Sequence, residues 1–124
     1  MITALDSLEI IKGRQILDVS TEVNLATAIN SGGDHDVLVE IPLKISFDEY
    51  TLFIYNKWAI VSSTLKFLED LKGERIVKIK SFSQILELCI NNLDYIKIDL
   101  SDNGYTGPES LALYGPNNLI MVWN

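Results

Sequence analysis

The sequence predicts an α+β fold in which antiparallel sheet(s) are built from two similar halves, each a strand, a helix and a three-strand meander. Three observations carry that expectation. Residues 7–20, SLEIIKGRQILDVS, align with residues 67–80, FLEDLKGERIVKIK, and share Leu8/Leu68, Glu9/Glu69, Lys12/Lys72, Gly13/Gly73 and Ile16/Ile76. Residues 95–124 read as three strands with turn segments between them. Ile96, Ile98 and Leu100 alternate with Lys97 and Asp99 at the period of a half-buried strand, and Leu111, Leu113 and the apolar run 119–123 supply the other two. Between the first strand and the meander of the second half, Phe82, Ile85, Leu86 and Cys89 recur at i, i+3, i+4 and i+7, as on one face of a helix.

Each copy of the repeat begins with a Lys-Gly turn, Lys12-Gly13 or Lys72-Gly73, followed by a short alternating strand. Residues 21–30 come next in the first half, a weak helix lined by Val23, Ala26 and Ile29 whose Val, Thr and Asn lower its propensity. The Gly-rich loop 31–34 leads to a strand at 37–41 that Pro42 ends or places at a sheet edge. The first meander is 43–47, 52–55 and 58–61. Leu65, Leu68 and Leu71 predict a helix over 64–72, stopped at Gly73.

In the second half Ser81 and Gln84 stand at capping-box spacing, which places a helix over 81–90 with Asn91-Asn92 ending it. The strand 96–100, a surface loop over 101–110, the strand 111–114, Gly-Pro-Asn-Asn turn chemistry at 115–118 and the closing strand complete the chain. Taken in order, 43–47 parallels 96–100, 52–55 parallels 111–114, and 58–61 parallels 119–122. A single domain over 1–124, with its repeats at about 7–61 and 67–123, accommodates all of these elements.

Seventeen acidic residues against 10 basic ones give a net charge of −7. That argues against a nucleic-acid backbone or an anionic membrane surface as partner. Solubility alone accounts for such acidity; the sharper explanation is a basic protein partner steered in by the field. The 48% hydrophobic content supports a core that needs no covalent staple. No stretch approaches the ~18 uninterrupted apolar residues of a membrane span. The opening residues, MITALDSLEIIKGR, hold no basic leader before an apolar run, and one cysteine cannot close an internal disulfide, so a cytoplasmic protein is expected.

Chemistry-bearing residues are sparse. His35 sits between Asp34 and Asp36 in a Gly-flanked loop; adjacent side chains rarely converge on one ion and no second histidine completes a set, so no metal site is expected. Cys89, on the apolar face of its helix, reads as a small hydrophobe and not a nucleophile. Gly104, Gly107 and Gly115 form no phosphate-binding pattern. Carboxylates pair at Asp48-Glu49, Asp34/Asp36 and Asp99/Asp102, without a sign of the two differently tuned environments that acid–base catalysis requires. No cofactor and no catalytic residue is assigned. The set that stands out is acidic and aromatic: Asp48, Glu49, Tyr50, Asp99, Asp102, Tyr105 and Glu109, at turns after strands that the repeat makes equivalent. Tyrosine mixed with carboxylates suits an interface that desolvates rings and pairs with cations, and ordinary solvated turns share that composition.

The K-G-x-x-I turn-strand units, the Tyr-Ile-Lys-Ile-Asp-Leu strand, the Gly-Pro-Glu-Ser segment and the closing apolar strand with Trp123 resemble small bacterial immunity proteins of contact-dependent growth inhibition and related polymorphic toxin systems. The resemblance covers the second half best and the first half through the repeat. It implies a non-catalytic inhibitor that binds a cognate toxin domain, often a basic nuclease, and blocks its active site; it transfers no binding residue by position. Two other classes stay open. A small cytosolic enzyme of unrecognised type calls for a concave pocket with titrating groups, and an adaptor or structural subunit calls for a large exposed apolar patch.

Overall fold

The computed structural model describes residues 8–21, 29–30, 41–62, 68–82, 84–91, 93–101, 111–116 and 119–123. Two Lys-Gly turns, 60 residues apart in the chain, are bonded directly to each other. Each follows a short 3-10 segment, Glu9–Ile11 or Leu68–Leu71. Each glycine then takes a left-handed conformation, φ 84° at Gly13 and 92° at Gly73. A side chain there costs about 1–2 kcal/mol, because its Cβ crowds the adjacent carbonyl oxygen. Lack of room is not the reason for glycine, since a Cβ at Gly13 would meet nothing within 4 Å.

The turn reverses the chain so that Gln15 pairs with Arg75 in an antiparallel bridge. The bonds around that bridge are reciprocal. Gly13 N donates to Ile76 O at 2.6 Å, and Gly73 N to Ile16 O at 2.8 Å; Ile16 N donates to Glu74 O at 2.7 Å, and Ile76 N to Arg14 O at 3.2 Å. The side chains repeat the exchange, with Gln15 Nε2 donating to Gly73 O at 3.1 Å and Arg75 Nη1 to Gly13 O at 3.0 Å. Ile11, Ile16, Leu71 and Ile76 are fully buried beneath this junction. A local twofold relation therefore holds the two turns together.

Beyond the junction the chain builds β1 (Asp18–Thr21), β2 (Ile29–Asn30), β3 (Leu43–Ser46), β4 (Thr51–Ile54) and β5 (Trp58–Val61), then β6 (Lys78–Phe82), β7 (Ile85–Cys89), β8 (Tyr95–Asp99), β9 (Leu111–Tyr114) and β10 (Leu119–Trp123). These form two five-stranded sheets, ordered β1-β3-β4-β9-β10 and β2-β5-β8-β7-β6. Every pairing is antiparallel except β2 with β5. Alternate residues face inward: Leu43, Ile45, Leu52, Ile54, Leu111 and Leu113 from the first sheet share one buried core with Trp58, Ile60, Leu86, Leu88, Ile96 and Ile98 from the second. The result is a sheet-rich, mostly antiparallel molecule.

The strand order reveals an exchange between halves. β4 and β5 are consecutive, yet β5 lies beside β8 in the second sheet, while β9 returns to lie beside β4 in the first. The crossover of β5 is locked by polar contacts. Buried Asn56 donates Nδ2 to Asp99 O at 2.8 Å, Asp99 N donates to Lys57 O at 2.9 Å, and the indole N–H of Trp58 reaches Ile41 O at 2.7 Å.

Several sequence expectations are corrected by this arrangement. Helical backbone among the described residues is confined to the two 3-10 segments and Leu8 beside the first. The segment 81–90 is no helix but a hairpin, the end of β6 and all of β7, with Phe82 opposite Ile85. Leu86 and Leu88 are buried at period 2 while Phe82, placed on the apolar helix face by the sequence, is 49% exposed. Hydrogen bonding to β6 on one side and β8 on the other satisfies the backbone of β7 and overrides the helical spacing.

Of the weak helix over 21–30, Thr21 ends β1 and Ile29–Asn30 form β2, the rest lying outside the described residues; so does most of the expected strand 37–41. The helix over 64–72 is described only as the 3-10 segment Leu68–Leu71. Neither expected meander is found: in the first, β5 leaves β3 and β4 for the other sheet, and in the second, β8 lies on a different sheet from β9 and β10. In residues 95–124 the strands are where the alternation placed them, but β8 belongs to one sheet and β9 and β10 to the other.

The repeat also aligns differently beyond its first block. Registers match β3 with β7, β4 with β8 and β5 with β9, so Trp58–Val61 corresponds to Leu111–Tyr114 and not to 119–122. Missing β7 as a strand shifts every later match by one.

Two outcomes follow. A chain cut between Ser62 and Leu68 should give fragments that copurify as a one-to-one complex and are unfolded separately, since each sheet needs a strand from each fragment; a well-folded lone fragment by circular dichroism would contradict the exchange. Gly13→Ala and Gly73→Ala should each lower the unfolding free energy by about 1 kcal/mol, with asparagine costing less. Urea midpoints indistinguishable from the parent would show that the left-handed turns are not required.

Candidate functional site

The turn between β3 and β4 carries Asp48, Glu49 and Tyr50. It is closed by Phe47 N donating to Tyr50 O at 2.7 Å, with buried Phe47 as its anchor. Glu49 has φ 68°, the single left-handed non-glycine residue among those described. Holding a glutamate there costs on the order of 1–2 kcal/mol, which the surrounding contacts must offset.

Those contacts come from Arg14. Its guanidinium lies 4.4 Å from the centroid of the Tyr50 ring, its Nε donates to Ile10 O at 2.9 Å and its Nη1 reaches Asp48 O at 3.4 Å. One cation thus ties the acidic turn to the first Lys-Gly unit. Two of its donors go to backbone carbonyls, and the Asp48 and Glu49 carboxylates are exposed, with no ion pair to either among the described residues. Glu9, on the adjoining 3-10 segment, contacts Lys12 at 3.9 Å.

Asp99 is placed elsewhere. It ends β8 in the second sheet, and its Oδ1 accepts hydrogen bonds from Ser101 N at 2.8 Å and Ser101 Oγ at 2.5 Å. The turn equivalent to Asp48–Tyr50 on that sheet is instead the one joining β7 to β8. There Asn91 Oδ1 accepts from Leu93 N and Asp94 N, each at 2.7 Å, and Leu93 projects 74% exposed. Asp48, Glu49 and Tyr50 are therefore brought together by contiguity, and Asp99 stands on a different sheet at the far end of β8. Asp102, Tyr105 and Glu109 lie outside the described residues, as does His35.

Sequence reasoning overlooked Arg14, whose approach to Tyr50 spans a separation that no local pattern signals. It also overlooked the outward face of the first sheet. Phe53 and Tyr55 stack with ring centroids 6.1 Å apart and planes 8° from parallel, and Tyr114 meets Phe53 edge-on at 5.6 Å. Lys44 places its Nζ 5.9 Å from the Phe53 centroid. Beside these rings, Ser20, Thr21, Pro42 and Leu43 help line a groove of about 300 Å³. The available signal was that Phe53 and Tyr55 are aromatic on the phase of β4 opposite buried Leu52 and Ile54.

Cys89 sits in β7 between Lys78 and Tyr95 and is 7% exposed. Burial pushes its thiol pKa up and nearby Glu87 adds to that, while Lys80 and Lys78 oppose it. Among the described residues no three His, Cys, Asp or Glu side chains are grouped to hold a metal ion, and no helix is long and apolar enough to cross a membrane. No family model matches the chain, no curated protein matches it in sequence, and no solved structure matches it.

Iodoacetamide should alkylate Cys89 slowly in the native protein and rapidly once the chain is unfolded in urea. The thiolate is the reacting form, so the native rate should rise only at higher pH than the unfolded rate. The sign for stability follows: the contribution of the neutral buried thiol is complete below the ordinary thiol pKa and is lost as pH rises from there through the raised native one. Equal native and denatured rates at one pH would restore the cysteine as a candidate nucleophile.

Proposed function

We propose that the chain is a non-catalytic immunity protein of the cytoplasm, which binds a cognate bacterial toxin domain with a basic surface and covers its active site. The observation that carries this reading is the Asp48–Tyr50 turn. Two carboxylates without ion pairs are presented on a backbone already fixed by Arg14 and Phe47. A pre-ordered turn spends little entropy on binding, so more of the contact energy remains as affinity. The net charge of −7 adds long-range attraction for a cation-rich partner. On this reading the segment after β8, with Asp99, Asp102, Tyr105 and Glu109, contributes a second acidic and aromatic contact. A nuclease is the toxin class that best fits, because its phosphate-binding surface is basic.

The test is association with a cognate toxin domain, followed by stopped flow at low and high salt. Asp48→Ala with Glu49→Ala should slow association on the order of fivefold at low salt, with the difference fading as the Debye length falls to ~8 Å at physiological strength. A carboxylate buried against Arg or Lys should instead raise dissociation and cost about 2–5 kcal/mol when truncated. The same variants should protect cells less well against the expressed toxin. Unchanged rates in the double variant, together with salt-independent association of the parent, would sink both the proposed face and the steering.

A further inference from the structure

The local twofold supplies an internal comparison, because the residues of β1, β3, β4 and β9 have counterparts by register in β6, β7, β8 and β5. On the face of the second sheet away from the core, the central row is Lys80, Glu87, Lys97 and the buried Ala59, an acid in register between two lysines. In the first sheet the corresponding row is Ser20, Lys44, Phe53 and the equally buried Ala112. The carboxylate has no counterpart there. Lys44 takes the position of Glu87, and a phenyl ring takes the position of Lys97.

Lys44 is exposed and forms no ion pair among the described residues. Its one contact of note is with the Phe53 ring at 5.9 Å, near the outer limit at which a cation is attracted to a ring. Phe53 is in turn the hub of the aromatic group, parallel to Tyr55 and edge-on to Tyr114. The groove alongside holds about 300 Å³, at the small end of the range for small-molecule sites. It combines flat apolar walls, two hydroxyl side chains at Ser20 and Thr21, and one cation without a matching anion.

We propose that this groove binds a small aromatic carboxylate, its ring against Phe53 and Tyr55 and its carboxylate on Lys44 Nζ. The charge count selects the ligand class. A single ammonium matches a single negative charge, whereas a phosphate ester with two would leave one unbalanced. The rings select the shape, since a planar guest keeps the offset or edge-on contacts that an aliphatic acid cannot make. Binding would draw Lys44 from a weak ring contact into a charge-assisted hydrogen bond. The site lies on a sheet face and not on the acidic turn, and it stands apart from the toxin reading: loss of toxin binding would leave it intact.

The experiment is an amide-resolved NMR titration of the full chain at low salt with three probes of equal size: benzoate, benzamide, which lacks the charge, and cyclohexanecarboxylate, which lacks the aromatic face. Benzoate should give saturable shifts centred on residues 43–44 and 53–55. Benzamide should bind about tenfold more weakly, the value of a charge-assisted bond, and cyclohexanecarboxylate several-fold more weakly. Lys44→Gln should weaken benzoate about tenfold and remove its advantage over benzamide. Lys97→Gln, on the other sheet, should leave benzoate binding unchanged. Lys44 is exposed, so its variant is expected to fold, and its unperturbed amide spectrum confirms that. Non-saturating shifts, shifts centred on another face, equal binding of benzoate and benzamide, or equal losses in the two lysine variants would each overturn the assignment.

Discussion

Two backbone segments cross at Gln15 and Arg75, and the rest of the molecule is positioned by that crossing. Four main-chain hydrogen bonds and two from side chains join turns that are 60 residues apart in the chain. Each such bond contributes only about 1 kcal/mol net. Beneath them Ile11, Ile16, Leu71 and Ile76 are removed entirely from water, and burying side chains of this size stabilises by roughly 1.5–3 kcal/mol each. The geometry depends on glycine at 13 and 73, because the chain must turn through left-handed φ before it can present Gln15 or Arg75 to its counterpart. From the crossing β1 departs as an edge of one sheet and β6 as an edge of the other.

Strand exchange makes the two sheets interdependent. β5 is inserted between β2 and β8, and β9 between β4 and β10, so neither sheet closes with strands of one half alone. Trp58 stands at the start of the crossing strand, fully buried, with its indole N–H on Ile41 O just before β3. Asn56 spends its amide on the carbonyl at the end of β8. These are polar contacts in a dry place, where an unmade bond costs about 1–3 kcal/mol, so they specify where the chain crosses as well as holding it there.

A common scaffold then carries two chemically different outer surfaces. The inward rows of both sheets are aliphatic apart from Trp58, as a shared core requires. The outward rows have no such obligation: one sets Glu87 in register between Lys80 and Lys97, and the other gathers Phe53, Tyr55 and Tyr114 near Lys44. The acidic turn at Asp48 lies at one end of this aromatic sheet, tied down by Arg14 from the neighbouring Lys-Gly unit. Its counterpart between β7 and β8 is built around Asn91 and presents Leu93. Exposed aromatic rings and the Arg14-fixed acidic turn are thereby gathered on the first sheet by side-chain choice alone.

The alternation of Leu43 with Ile45, of Leu52 with Ile54 and of Ile96 with Ile98 made β3, β4 and β8 legible, since burying one face of a strand demands a period of two whatever its partner. The Lys-Gly turns were legible for an equally local reason, the conformational freedom of glycine. The segment 81–90 satisfied both periods, as Leu86 and Leu88 fit a strand and Phe82, Ile85, Leu86 and Cys89 fit a helix. Only hydrogen bonding to β6 and β8 decided between them, and misjudging it displaced every later match in the repeat. Of the acidic set, Asp48, Glu49 and Tyr50 were adjacent in the chain and so adjacent in space, but Arg14 over Tyr50 was invisible because nothing local records it. Which residues alternate, where the chain must turn and how acidic the molecule is could be read from the residues alone, all of these being short-range or additive properties. Only the tertiary structure decided which sheet each strand joins, because a strand edge presents the same donors and acceptors to any neighbour, and the choice rests on burial shared across the whole core.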